Sequence, residues 1–302
     1  MNKNNIAVFG VGKWGKNLVR TFYNLKALKY INDTHNNDTI KNIKNKSKKN
    51  IYNDKNITAI IISTPIDSHF NLACQAIKNN KHIFVEKPLT TNIKNLNIIK
   101  KLNIIKKKII MSGHIILYHP AFIKIQRIIN SGYIGKIRQI YSTRTNTIHT
   151  SSKNNILWDY GPHDISIIHK LINQTPSKIN ILSHKKNNGI LTEINVNLYY
   201  KKNIYVQTYL SWNSKKKIQK LIIIGSKKKI IFDDTKNWEK KITILNIKNK
   251  NSFNIKITKK EPLLNECQYF LAIIKNNKHP LTDIENSKNI IKTLEEINNT
   301  IQ

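Results

Sequence analysis

The chain has 302 residues, with 52 Lys and Arg against 17 Asp and Glu, so its formal net charge is +35. The hydrophobic fraction of 39% still allows a sizeable core, and the length suits one large domain or two ordinary ones. The longest apolar runs, such as 59–62 and 221–224, are too short to cross a bilayer, so neither a membrane span nor a signal peptide is expected.

The excess of lysine accompanies an excess of Ile and Asn along the whole chain, which indicates compositional drift rather than adaptation at one site. Such a surface attracts polyanions without specificity, and no specific nucleic-acid partner is expected. The two cysteines, Cys74 and Cys267, are far apart in sequence and are expected to be reduced core residues. They favour the cytoplasm or an equivalent reducing compartment.

The first third of the chain alternates short apolar runs with amphipathic stretches, which predicts βαβ units and a mostly parallel sheet. The predicted strands are Ile6–Phe9, Leu28–Ile31, Ala59–Ser63, His82–Val85 and one beginning at Ile109–Met111. The predicted helices are Trp14–Tyr23, His69–Ile77 and Ile93–Ile105. Residues 38–55, almost all Asn and Lys, are interpreted as a long, partly disordered loop with room for one short helix.

The pattern changes near residue 117 from alternation to a block of strands. Helices are predicted at Pro120–Asn130 and Ile165–Ile172, and around Leu264–Lys275 and Ile284–Ile297. The predicted strands are Lys136–Thr145, Ile179–Ser183, Ile190–Tyr200, Ile204–Trp212, Lys220–Ile224, Lys229–Phe232, Ile242–Ile247 and Phe253–Ile257. The sequence therefore predicts an α/β nucleotide-binding domain, residues 1–117, and an α+β domain, residues 118–302. Whether the C-terminal helix packs back on the first domain is left open.

A G-x-G-x-x-G motif, Gly10-Val11-Gly12-Lys13-Trp14-Gly15, directly follows the first strand and opens the first helix. In a dinucleotide site the three glycines allow the tight turn, the approach of a pyrophosphate and close helix packing, and the helix N-terminus attracts phosphate. The alternative is an ordinary strand–turn–helix.

Asp33 lies 18 residues after Gly15, at the end of the second predicted strand. A carboxylate there accepts hydrogen bonds from the adenosine ribose hydroxyls and repels a 2′-phosphate, which favours NAD over NADP. A turn aspartate is the alternative reading, and Asp38 is a second candidate for the same role.

Two further turns follow strands of the first domain, Thr64-Pro65 and Glu86-Lys87-Pro88. Ligands of open parallel sheets bind outside the carboxyl ends of the strands, so both turns are expected to face the cofactor. His69, which begins the next helix, joins this set of expected cofactor contacts. Lys87 has an alternative reading as a surface charge.

The segment Asp159-Tyr160-Gly161-Pro162-His163-Asp164 precedes a predicted helix. If this turn is helical, Asp159 and His163 share a face, and the carboxylate orients the imidazole for acid/base chemistry. The alternative is helix capping by Asp159 or Asp164 beside a surface histidine. No metal site is expected, since the remaining histidines lack ligand spacing.

At these motifs the sequence resembles the Gfo/Idh/MocA family of NAD(P)-dependent oxidoreductases. The resemblance runs through Gly10–Gly15, Ser63–Pro65, His82–Pro88, Gly113–Pro120, Asp159–Asp164 and His279–Asp283. It implies a Rossmann dinucleotide-binding domain, an α+β domain with an open, mostly antiparallel sheet, and a homo-oligomer formed through that sheet. It also implies an active site between the domains, with NAD as cofactor and a sugar or sugar nucleotide as substrate.

The same resemblance implies the roles of the residues. His163 is the general acid/base, Asp159 supports it, and Lys87 stabilises the alkoxide that develops as hydride moves to nicotinamide. The segments 113–120 and 155–165 are similar to the branch that oxidises UDP-linked amino-sugar acids at C3, which implies substrate contacts by Tyr118, Arg144 and Asn146. His119 stands where that branch commonly has Asn. The short segment between Asp33 and Thr64 leaves an alternative open, a degenerate family member that binds dinucleotide as a sensor or structural subunit.

Overall fold

A computed structural model describes residues 5–34, 43–146 and 155–301. The first half contains, in chain order, β1 (Ile6–Phe9), α1 (Gly15–Asn24), β2 (Leu28–Asn32), β3 (Lys44–Asn45), α2 (Lys48–Asn53), β4 (Ala59–Ile62), α3 (His69–Lys78), β5 (His82–Glu86), α4 (Ile93–Lys106), β6 (Ile110–Gly113), α5 (Pro120–Asn130) and β7 (Ile137–Thr145). The second half contains α6 (Ile156–Asp159), α7 (Gly161–Ile172), β8 (Lys178–Asn187), β9 (Ile190–Tyr200), β10 (Ile204–Ser211), β11 (Ile218–Gly225), β12 (Lys228–Asp233), β13 (Ile242–Asn246), β14 (Ser252–Asn254), α8 (Pro262–Asn276) and α9 (Ile284–Ile301).

The chain divides into two compact units. The first comprises Met1–Ile115 and Glu261–Ile291, and the second comprises Ile116–Lys260 and Lys292–Gln302. Helix α8 therefore belongs to the first unit, although it follows the whole strand block in sequence.

The first unit contains a six-stranded parallel sheet in the order β3-β2-β1-β4-β5-β6. All four residues of β1 and all four of β4 are buried, as expected for strands covered on both faces. This burial explains why the strands are continuous apolar runs. The predicted Rossmann-type parallel sheet is confirmed.

In the Asn- and Lys-rich segment, the described residues 43–55 contain the short helix that the sequence allowed for and a two-residue strand that was not predicted. These elements are α2 and β3, and Ser47 caps α2 by accepting a hydrogen bond from the Asn50 amide at 3.3 Å. Ile51 and Tyr52 are buried, and the Tyr52 ring packs edge-on against Phe9 at 5.6 Å. Two apolar side chains thus hold this polar segment to the sheet. The alternative ribose ligand, Asp38, lies outside the described residues.

The second unit contains an eight-stranded sheet in the order β14-β13-β12-β11-β7-β10-β9-β8. Its pairs are antiparallel except for β7 with β10, which run parallel. The mostly antiparallel sheet is thereby confirmed. On β7, Ile140 and Ser142 on one face are buried, whereas Gln139, Tyr141 and Thr143 on the other are half-exposed.

Several boundaries differ from the sequence predictions. The last strand is Ser252–Asn254 rather than Phe253–Ile257, and it is fully exposed at the edge of the sheet. The helix predicted from Ile165 begins at Gly161, with Pro162 in its first turn, where a missing amide costs no hydrogen bond. Cys267 is in the core, but Cys74 is only half-buried. Across 5–34, 43–146 and 155–301, no helix has both the length and the apolarity needed to traverse a bilayer.

Candidate functional site

The glycine motif forms a tight turn between β1 and α1. Gly10 has a φ of +85°, and a Cβ there would lie 2.7 Å from the Thr64 amide nitrogen. A Cβ on Gly15 would lie 2.1 Å from the Gly10 carbonyl oxygen. At Gly12, by contrast, nothing lies within 4 Å of the Cβ position. Two glycines therefore permit close packing, and the third leaves backbone open to a ligand at the helix N-terminus, as pyrophosphate binding requires.

Asp33 follows β2 and is tied to the glycine turn. Its Oδ2 accepts a hydrogen bond from the Val11 amide at 2.5 Å. Asn45 of β3 bonds the backbone of Asp33 twice, accepting from its amide at 3.2 Å and donating to its carbonyl at 3.0 Å. The two-residue strand β3 thus holds the carboxylate beside the turn. This position fits a residue that binds the adenosine ribose.

The turn after β4 is bonded to the same glycine turn. Ser63 Oγ donates to the Gly10 carbonyl at 2.7 Å, and Thr64 Oγ1 pairs with Ser68 Oγ at 2.6 Å. Pro65 is exposed. Thr64 and Pro65 therefore lie at the same sheet edge as the glycine motif, as the parallel topology predicts.

His69 is buried between the turns that follow β4 and β5. Its side chain is 2% exposed, and its ring nitrogens lie 2.9 Å from the Pro88 and Thr64 carbonyl oxygens. Burial lowers the pKa of this imidazole despite those contacts. The ring joins the Thr64 and Pro88 turns, and its expected role as a cofactor contact stays a prediction.

Glu86, at the end of β5, connects its turn to the glycine motif. Its Oε1 accepts from Trp14 Nε1 at 2.6 Å, and its Oε2 accepts from the Lys87 amide at 3.3 Å. Burial raises the pKa of Glu86 to about 7, against the opposing effects of these donors and of the Lys87 charge. Trp14 itself is 41% exposed. The expected contacts Trp14, Glu86 and Lys87 are thus brought together.

His114, just beyond β6, was not singled out by the sequence. It is buried, and desolvation together with the nearby charge of Lys87 lowers its pKa to about 3. The imidazole is therefore neutral at physiological pH, and Lys87 is a cation placed near it.

In the second unit, Asp159 and His163 lie on a continuous helical path. Asn155 caps α6 by accepting from the Trp158 amide at 3.2 Å, and Tyr160, between α6 and α7, keeps helical angles of −94° and −35°. The condition for placing Asp159 and His163 on one face is met. Both side chains are half-buried.

Tyr160, which sequence reasoning passed over, has contacts with several expected site residues. Its hydroxyl interacts with the side chains of Asn146 and Trp212, and it interacts electrostatically with Asp159 and Arg144. Its ring meets Trp212 edge-on at 6.3 Å. Burial raises its pKa, so the phenol remains protonated at neutral pH. The sequence feature that points to Tyr160 is its place within the segment Asp159–Asp164.

Asp164 is not a helix cap, because its carboxylate points to the sheet. It accepts hydrogen bonds from Ser142 Oγ and, at 2.6 Å, from Arg144 Nε, and Asp164 is 2% exposed. This pairing anchors the start of α7, and with it His163, to β7. Arg144, expected to contact substrate, thus has a structural partner.

The remaining substrate candidate, Tyr118, is 5% exposed at the end of the short turn Ile115–Tyr118. The next residue, His119, caps α5, since its Nδ1 accepts from the Ala121 amide at 3.0 Å. Within the described ranges, no three His, Cys, Asp or Glu side chains are grouped as metal ligands.

Comparison with known families matches most of the chain. Residues 4–114 match the oxidoreductase family with an NAD-binding Rossmann fold, and residues 122–231 match the Gfo/Idh/MocA C-terminal domain. The chain therefore belongs to the Gfo/Idh/MocA family of NAD(P)-binding oxidoreductases.

Curated relatives are similar over part of their length. An inositol 2-dehydrogenase/D-chiro-inositol 3-dehydrogenase of Lactiplantibacillus plantarum is 26% identical over 140 residues, 45% of this chain and 40% of that protein. An inositol 2-dehydrogenase of Salmonella typhimurium is 23% identical over 145 residues, 47% of this chain and 43% of that protein. The matched region thus spans about two fifths of these relatives.

Solved structures share the fold over nearly the whole chain. A UDP-N-acetylglucosamine 3-dehydrogenase from Acidithiobacillus ferrooxidans has a TM-score of 0.88 at 17% identity, covering 98% of this chain and 97% of that one. A 3-ketoreductase from Actinomadura kijaniata, in complex with TDP-benzene and NADP, has a TM-score of 0.83 at 15% identity, covering 97% and 96%. At such identities these similarities establish the fold alone.

Proposed function

We propose that the protein is an NAD-dependent dehydrogenase that moves a hydride between a carbinol carbon of a sugar or sugar nucleotide and nicotinamide. The observation that carries this proposal is the helical turn from Asp159 to His163, fastened to the sheet by Asp164. Such anchoring holds an acid/base pair in one geometry, as proton transfer requires.

The cofactor is assigned to the sheet edge of the first unit. Gly10, Gly12, Lys13, Trp14 and Gly15 would hold the pyrophosphate and adjoining groups, and Asp33 the adenosine ribose. Thr64, Pro65, Glu86 and Lys87 would line the same edge. When bound, the nicotinamide ring supplies hydride transfer. The Asp33 carboxylate, set at the turn by Val11, favours NAD over NADP because it would repel a 2′-phosphate.

The protein's own groups handle the proton. His163 takes the hydroxyl proton as hydride leaves the carbon, and Asp159 stabilises the imidazolium that forms. The Lys87 ammonium stabilises the developing alkoxide. In the reverse direction His163 returns the proton. His114 near Lys87 is neutral, so it adds no second positive charge beside the ammonium.

The substrate class is inferred from relatives together with the chemistry of the second unit. The named relatives act on inositols and on a nucleotide-linked sugar, all of which carry ring hydroxyls. Asn146, Arg144 and the protonated Tyr160 hydroxyl are hydrogen-bonding groups suited to such hydroxyls. We assign substrate contacts to these three residues and to Tyr118, and we favour a UDP-linked sugar.

We infer that copies of the chain associate through the outer face of the eight-stranded sheet. Ile222 and Gln207 flank Tyr141 in register there, and the Tyr141 and Tyr205 rings lie 6.0 Å apart. These side chains are half-exposed although they include large apolar groups. A face of this kind is typical of a protein interface.

One observation favours a second function, a dinucleotide-binding subunit without turnover. The first unit's edge strand β3 has only two residues. Asn45 of this short strand makes the hydrogen bonds to the Asp33 backbone, so any loss of β3 pairing would weaken adenosine binding.

Replacement of His163 by Ala separates the two functions. If the protein is a dehydrogenase, the His163→Ala variant should turn over UDP-sugars at least roughly 100-fold more slowly than wild type. Its affinity for NADH should be unchanged. His184→Ala is the matched control, since His184 is exposed on β8 in the same unit. Unchanged turnover in His163→Ala removes this residue from the mechanism. Dinucleotide binding by the wild type without turnover of any sugar supports the second function.

A further inference from the structure

Glu266 on α8 is a buried acid of the first unit. It is 0% exposed, and neither carboxyl oxygen has a hydrogen-bond partner among the described residues. An ionised carboxylate without donors in such surroundings is strongly unfavourable. Burial, reinforced by the charge of Glu86, raises the pKa of Glu266 well above its ordinary value. No step of the proposed reaction uses this group.

The neighbouring acid, Glu86, has the donors that Glu266 lacks. It accepts hydrogen bonds from the Trp14 indole and the Lys87 amide, and both favour its charged form. When two carboxyls interact, ionisation of one raises the pKa of the other, so the one with fewer donors keeps its proton to higher pH. The unequal distribution of donors assigns the negative charge to Glu86 and the proton to Glu266.

The surroundings support this assignment. Phe84 of β5 packs against Phe270 of α8 with ring centroids 5.6 Å apart, so the strand and the helix that contain the two acids meet through apolar side chains. The titratable groups that act on the pair are Lys87 beyond β5, and Cys267 of α8, whose thiol is kept neutral by its raised pKa. The Lys87 charge also helps to lower the pKa of His114 beyond β6, which is neutral. Lys87 is thus the cation that balances one carboxylate, and a second negative charge would have no counterpart among these groups.

We propose that Glu266 is a positioning residue, held as a neutral carboxylic acid, which keeps Glu86 as the single negative charge that orients Trp14 and the Lys87 backbone. Ionisation of Glu266 would repel Glu86 and disturb both of its hydrogen bonds. The proposal depends on the proposed function in taking this turn as part of the dinucleotide site.

The protonation state is tested first, without any ligand. The infrared difference spectrum between wild type and Glu266→Gln at pH 7 should contain the carbonyl band of a protonated carboxylic acid. Glu239→Gln, which removes an exposed carboxylate, should show carboxylate bands instead. Carboxylate bands for Glu266 would overturn the proposal, whatever the enzyme does with sugars or NAD.

The positioning role is tested by NADH titration between pH 6 and pH 9. Glutamine reproduces the neutral acid, so Glu266→Gln should bind within about twofold of wild type at pH 7, whereas Glu266→Ala should bind about tenfold more weakly, a difference of about 1.4 kcal/mol. The wild-type affinity should fall as Glu266 ionises at alkaline pH, and Glu266→Gln should lack that fall.

Equal losses in the glutamine and alanine variants, or an alkaline fall that persists in Glu266→Gln, would overturn the positioning role. If Glu266→Ala does not fold, the pH profile of Glu266→Gln decides the question alone. If the wild type does not bind NADH, the proposed function fails, and with it the positioning role, while the infrared result still decides the protonation state.

Discussion

The carboxylate of Asp33 accepts a 2.5 Å hydrogen bond from the amide of Val11, inside the glycine turn 22 residues earlier. This bond joins the carboxyl ends of β1 and β2, which are neighbouring parallel strands. It places a negative charge at the point where a Rossmann fold meets the adenosine ribose. We therefore propose that cofactor preference depends on Asp33, whose carboxylate the Val11 amide holds in place.

Replacing Asp33 by Asn should shift the preference towards NADP. Asparagine keeps an oxygen for the Val11 amide but removes the charge that repels a 2′-phosphate. We expect NADH to bind about tenfold more weakly, equivalent to about 1.4 kcal/mol, and NADPH to bind more tightly than it binds wild type. Calorimetric titration of both cofactors measures this, with Glu239→Gln as the charge-matched control. A wild type that already prefers NADPH would show that Asp33 is misassigned.

The buried pair of Arg144 and Asp164 should contribute far more to stability than an exposed pair. Asp164→Ala leaves the guanidinium without its partner in a half-buried site, and we expect a loss of roughly 3–5 kcal/mol in the free energy of unfolding. Lys292→Ala removes an exposed pair with Glu296 at 3.8 Å and should cost at most about 0.5 kcal/mol. Urea denaturation of each variant provides the comparison. Similar losses in both would mean that Asp164 does not anchor α7.

Acid should destabilise the first unit through His82. Its Nδ1 accepts a hydrogen bond from the Ile109 amide at 2.9 Å, and burial lowers its pKa to about 4. Since the unfolded value is higher, near 6.5, the neutral ring contributes stability above pH 6.5 that is lost as the pH falls towards 4.

The variant His82→Gln keeps an acceptor for the Ile109 amide without titrating. Between pH 7 and pH 4.5 it should lose less unfolding free energy than wild type, by on the order of 2 kcal/mol. Denaturation curves at both pH values measure the slope, and exposed His279→Gln should keep the wild-type slope. An unchanged slope in His82→Gln would show that His82 does not contribute to the acid response.

A charge on the outer face of the second sheet should weaken self-association. Ile222 pairs in register with Tyr141 and Ile231, at the centre of that face. Replacing Ile222 by Lys would bury an unpaired ammonium in the contact between copies, at a cost of several kcal/mol. Sedimentation equilibrium should show a shift to monomer, while Ile105→Lys, at a side chain 77% exposed on α4, should leave the mass unchanged. A monomeric wild type would exclude the interface.

Much of the fold could be predicted from the sequence because the patterns that indicate a strand or a helix involve residues close together in the chain. The strands Ile6–Phe9 and Ile190–Tyr200 and the helix Pro120–Asn130 have the predicted bounds, since each combines a clear period with a terminating residue. The edge of the first sheet was harder to predict. There Ile51 and Tyr52 order an otherwise polar segment, and their effect depends on Phe9, more than forty residues away.

The candidate site likewise has a part that the sequence predicts and a part that only the tertiary structure decides. The glycine turn, the Glu86–Lys87 turn and the Asp159–His163 spacing are contiguous motifs whose chemistry follows from residue type and position, and the sequence by itself determined them. The partners of these motifs were decided by tertiary structure: Glu266 against Glu86, Arg144 against Asp164, and Tyr160 with Asn146 and Trp212. These contacts join residues that lie 14 to 180 positions apart in the sequence, and some of them bury an ionisable group. Burial and pairing depend on which distant segments pack together, and no local pattern carries that information.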